Sequence, residues 1–113
     1  MRKLFISQPM ADRTNEEILE EREILHKQAE KVFGQKFAVV NSFFKDAEEL
    51  VSQKGRLYLM GQSISKMSEA SYVIFHWDYR NYRGCRIEFQ AATEYSPECI
   101  KGILVAVDPN GDD

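Results

Sequence analysis

The sequence predicts an α/β fold of three layers, in which a doubly wound parallel sheet of four to five strands carries helices on both faces. Three observations predict it. Short apolar runs recur along the chain without polar alternation, around Phe5, Val39, Val73 and Leu104, as expected of strands buried on both faces. Between them lie segments whose apolar positions repeat at helical spacing. Strands that alternate with helices in this way require right-handed βαβ crossovers, which set the strands parallel.

Residues 3–7 (Lys-Leu-Phe-Ile-Ser) form the first expected strand, stopped by Gln8 and Pro9. Thr14-Asn15-Glu16-Glu17 fits a capping box, so a helix should begin at Thr14. Its buried face is expected at Ile18, Leu25, Ala29 and Val32, with Gly34 as the stop, giving about twenty residues. Residues 36–40 make the second strand. Asn41, Ser42, Phe43 and Phe44 follow as a loop with an aromatic wall, and residues 46–53 as a short exposed helix ended by Gly55. From Arg56 onward Leu57, Met60, Ile64 and Met67 mark one helix face, with both methionines read as core. Tyr72 to Phe75 is the third strand, residues 84–95 the next helix, and residues 100–107 the last strand before a polar tail. The arrangement is of the Rossmann/flavodoxin-like kind.

Composition bounds the function. A chain of 113 residues, 43% apolar, suffices for a single domain with a core and is too short for two. Fifteen basic against 18 acidic groups leave a formal charge of −3, which gives no general attraction to a nucleic acid polymer. No apolar run approaches the ~20 residues that span a bilayer, and residues 1–7 lack the core of a signal peptide. The expectation is a cytoplasmic protein without a membrane partner, whose Cys85 and Cys99 are free thiols. No cofactor is implied, and no metal, since His26 and His76 are far apart in sequence and no clustered acid or cysteine completes a site.

In such a sheet the carboxyl ends of the first and third strands lie side by side, and ligands bind in the crevice between them. Residues 7–10 and 76–84 should therefore form opposite lips of one cleft, with Glu88 near its floor. A carboxylate about one turn into a helix faces partial positive charge, which favours its ionised form and suits a nucleophile. It also suits a plain helix-start acid paired with the dipole or with Arg86, and both readings stand. His76, at a strand end, reads as a hydrogen-bonded structural residue rather than a base.

The order F-I-S-Q-P at the first strand, S-E-A-S before the third, and G-x-x-x-E-x-x-x-A after the loop resembles the nucleoside 2-deoxyribosyltransferase-like superfamily, in particular its short phage and bacterial members. The likeness runs from Lys3 to about Val107. It implies that Glu88, four residues after Gly84, attacks the anomeric carbon of a nucleoside and releases the base, while Ser7, Gln8 and Pro9 line the sugar and base pocket. It also implies a homo-oligomer. Where active members carry an aspartate before the third strand, this chain has Ser63. In place of an acid shortly before the glutamate it has Asn81, Tyr82 and Arg83, and the nearest acid is Asp78.

Cleavage of an N-glycosidic bond needs a nucleophile and a proton for the leaving base. Asp78 could supply the proton if its loop folds over the cleft, or it could pair with Arg80 in solvent. Trp77, Tyr79 and Tyr82 offer faces on which a base could stack, and Arg80, Arg83 and Arg86 suit a phosphate. The same aromatics would equally serve packing or a subunit contact. Two functions are expected from these residues: N-glycosidic cleavage or transfer on a nucleoside or nucleotide, and capture of a nucleotide or nucleotide-derived signal without turnover.

Overall fold

A computed structural model describes residues 1–41, 53, 55–95 and 98–111. Four strands, β1 (Arg2–Ser7), β2 (Phe37–Val39), β3 (Tyr72–Phe75) and β4 (Gly102–Val105), form one parallel sheet in the order β2-β1-β3-β4. Helix α1 (Asn15–Phe33) links β1 to β2, α2 (Arg56–Met67) precedes β3, and α3 (Arg83–Tyr95) links β3 to β4. A 3-10 turn, Tyr79–Asn81, lies between β3 and α3. The strands reverse their order of winding between β1 and β3, where Ser7 pairs with Phe75.

Strand alternation sorts the core into two layers. Leu4, Ile6 and Ile74 pack with Leu25 and Ala29 of α1. Phe5, Val73 and Phe75 point the other way, toward Met67 of α2 and Cys85 and Ala92 of α3. The residue after each set continues its face. Ser7 thus follows Phe5 toward α3, and His76 follows Ile74 toward α1.

The sequence signals for α1 act as expected. Thr14 Oγ1 accepts from the Glu17 N–H at 3.1 Å, Glu17 Oε1 accepts from the Thr14 N–H at 3.0 Å, and Gly34 ends the helix in the left-handed region at φ 68°. Thr14→Ala should lower the unfolding free energy by about 1 kcal/mol in chemical denaturation. An unchanged midpoint would mean that the box stabilises nothing.

Other expectations need correction. Val32 is 60% exposed and does not belong to the buried face of α1, which rests on the sheet through Ile18, Leu25 and Ala29, with Phe33 partly buried against the same layer. Leu57 is 86% exposed and Met60 half-buried, so only Met67 of the expected α2 face is core. Strand β2 is shorter than residues 36–40, although Val40 N–H still donates to the Leu4 carbonyl. Strand β4 ends at Val105, and Val107 instead exchanges two hydrogen bonds with the Gln28 side-chain amide. The expected aromatic loop at residues 42–44 and the short helix over 46–52 lie outside the described residues. Among the described residues no helix is long and apolar enough to cross a membrane.

Candidate functional site

A cleft of about 540 Å³ opens at the carboxyl end of the sheet, beside the point where the winding reverses. Gln8, Pro9, Met10 and Ala11 form one side, the first two turns of α2 another, and residues 82–88 the third. Its size lies in the range of small-molecule sites. The α2 wall is apolar, with Leu57, Leu59 and Met60. Opposite, Gly84 permits a close approach, since a β-carbon there would meet the Met60 methyl at 3.3 Å.

Glu88 lies in this cleft and is 6% exposed. Both carboxylate oxygens are held: Ser7 Oγ donates to Oε1 at 2.7 Å, and Ser63 Oγ donates to Oε2. These bonds join β1, α2 and α3 at one group. Helix α3 begins at Arg83, which puts Glu88 in its second turn, beyond the unpaired N–H groups of the first. The dipole environment expected from the sequence is therefore replaced by burial and two hydroxyls. Burial pushes the Glu88 carboxyl above its ordinary value, and the Ser63 and Ser7 donors pull against it without cancelling it.

That imbalance fixes a sign. The folded chain holds the Glu88 proton at pH values where the unfolded chain has lost it, so stability falls as pH rises from the ordinary carboxylate value through the raised one. Glu88→Gln removes this dependence. The variant should gain in Tm over wild type at pH 8 relative to the difference at pH 4, read by thermal unfolding at both pH values. A difference independent of pH would show that the carboxylate is not penalised by burial.

Cys85 lies one turn before Glu88 and lines the same cleft. Burial pushes its thiol up to about 11, with the Glu88 charge adding to the effect, so it is protonated at neutral pH and a poor nucleophile. Gln8 is also buried and has a fixed orientation: Nε2 donates to the Ile18 carbonyl at 2.9 Å and Oε1 accepts from Arg22 at 3.2 Å. A second Arg22 nitrogen donates to the Val40 carbonyl at 2.8 Å.

The structure thus brings Glu88, Ser7, Gln8, Pro9, Ser63, Tyr82, Arg83 and Gly84 to one place. Ser7 stands behind Glu88 rather than on the cleft surface. It does not bring Trp77, Asp78, Tyr79 or Arg80 there. His76, fully buried, accepts the Asp78 backbone N–H on Nδ1 at 3.0 Å, which leaves its ring proton on Nε2 to donate to Glu21 at 3.0 Å. The turn that follows leaves Asp78 exposed and not among the residues lining the cleft. Tyr79 is buried and stacks on Phe89 at 4.6 Å. Arg80, instead of pairing with Asp78, lies over the Tyr79 ring and donates to its hydroxyl. Trp77 packs against His76 at 3.9 Å and borders the α1-side core.

Met10 lines the cleft as the first-strand lip predicts, whereas sequence reasoning missed the α2 wall, Ala11 and Arg56. Arg56 carried a usable signal, because it follows Gly55 at the start of a helix that leads into β3. Among the described residues Glu88 is the one acid lining the cleft, and no group of three His, Cys, Asp or Glu side chains gathers to hold a metal. No family model, curated protein or solved structure matches the chain.

Proposed function

We propose that the protein cleaves or transfers the N-glycosidic bond of a nucleoside or nucleotide, with Glu88 as nucleophile. The observation that carries this reading is the Glu88 carboxylate in the cleft, with each oxygen oriented by a separate serine. In the reaction Glu88 attacks the anomeric carbon and the base departs with the electron pair of the C–N bond, taking a proton from water. Water or a second base then displaces the carboxylate from the glycosyl ester. The resemblance of the G-x-x-x-E segment supports the same role.

The surroundings suit such a substrate. Leu57, Leu59, Met60 and Tyr82 offer an apolar and aromatic wall for a base. Arg56 and Arg83 open helices α2 and α3 at the mouth, and neither helix carries an acid in its first turn, which favours an anionic substituent such as a phosphate. Incubation with deoxynucleosides and their monophosphates, followed by chromatography, should yield free base from at least one of them. Absence of base from all of them would refute catalysis.

One observation favours a second reading, capture without turnover: among the described residues no other acid lines the cleft to protonate the leaving base. On that reading a mononucleotide at 100 times its Kd would stabilise the fold by about 2.7 kcal/mol while staying intact.

A further inference from the structure

We propose that Arg13 is a positioning residue that ties the two lips of the cleft together and so sets its width. Asp12, just after the β1 lip, has φ 60°, a left-handed conformation that a non-glycine residue adopts at a cost. The turn it makes carries Arg13 back toward the cleft. There Nη1 donates to the Tyr82 hydroxyl at 3.3 Å and reaches the Ala11 carbonyl at 3.5 Å, while the guanidinium lies 5.1 Å from the centre of the Tyr82 ring. Ala11 and Tyr82 belong to opposite sides of the cleft.

The guanidinium is itself anchored. Glu21 of α1 accepts from Arg13 Nε on Oε1 at 2.9 Å and from buried His76 on Oε2 at 3.0 Å. One carboxylate therefore joins the segment after β1 to the segment after β3 at the reversal of winding. A planar guanidinium can bond Glu21 and Tyr82 together while lying on the ring, whereas a lysine ammonium provides a single point charge. The Arg13–Glu21 pair is only about a fifth exposed, at 16% and 20%, so solvent screens it less than a surface pair.

The geometry stands without a ligand, and only the substrate used below rests on the proposed reaction. Hydrogen exchange under native conditions should show amides of residues 8–13 and 79–82 exchanging about tenfold faster in Arg13→Met, with β1, β3 and the second half of α3 unchanged. Glu21→Gln should loosen the same two segments. Arg13→Lys should restore residues 8–13 and leave 79–82 fast. Unchanged exchange at either lip in both Arg13→Met and Glu21→Gln, or a uniform increase over sheet and helices, would overturn the proposal. With a deoxynucleoside monophosphate that is turned over, Arg13→Met should raise KM about tenfold and change kcat less than threefold. A fall in kcat at unchanged KM would contradict a clamp. The exchange experiment needs no substrate, so failure of the proposed reaction leaves it decisive.

Discussion

With Glu88 as the nucleophile of the proposed reaction, Glu88→Ala should abolish release of base from a deoxynucleoside or its monophosphate, with a fall of about 10³-fold or more in kcat/KM. The size follows from the site. Among the described residues no second acid lines the cleft, and Cys85 is held protonated, so no neighbour replaces a lost carboxylate. Glu88→Gln should fall as far, although it preserves shape and lets Ser7 and Ser63 keep partners. Ser7→Ala and Ser63→Ala remove donors that favour the ionised form and should push the carboxyl further up. Because the attacking form is ionised, the wild-type rate should rise with pH, and its acid limb should lie above the ordinary carboxylate range. Equal rates for wild type and Glu88→Gln would remove Glu88 from the chemistry.

Gly102→Val should destabilise the fold by about 3 kcal/mol, a large share of the 5–15 kcal/mol typical of a domain. Gly102 starts β4, where valine would ordinarily be favoured. Here a β-carbon would lie 2.8 Å from Phe33 and 2.9 Å from Tyr72. Those rings are packed with their centres 4.6 Å apart, and Phe37 lies 5.2 Å from Tyr72. Phe33 ends α1, Phe37 starts β2 and Tyr72 starts β3, so a shift of these rings disturbs the packing of three element ends at once. Urea denaturation should show a lower midpoint at unchanged m. A midpoint at or above wild type would mean that the aromatic cluster repacks freely.

Gly102 also marks where the sequence ceases to be legible. The strands, the capping box at Thr14 and the left-handed stop at Gly34 were readable because each is written in neighbouring residues. The cleft between the ends of β1 and β3 was readable from topology, since alternating strands and helices leave few windings. What joins these elements was not. Ser7 and Glu88 are 81 residues apart and Ser63 and Glu88 are 25 apart, with no local pattern linking them. Ser63 was found only through the resemblance. The aromatic loop misled for a related reason: Tyr79 and Trp77 look available in sequence, but the His76 bond to the Asp78 amide turns the chain so that Tyr79 packs on Phe89 and Trp77 on His76. Leu57 erred in the opposite direction, placed on a core face by its spacing yet exposed at the mouth of the cleft.

Whether Glu88 forms a bond to the sugar can be read by mass spectrometry of the protein after brief reaction with nucleosides and monophosphates fluorinated at the sugar 2′ carbon. Fluorine beside the anomeric carbon slows breakdown of a glycosyl ester and lets it accumulate. The expected result is one added sugar on the peptide that contains Glu88, with free base in equal amount, and neither in Glu88→Gln. Base release with no sugar on that peptide, or a sugar carried by another residue, would contradict it.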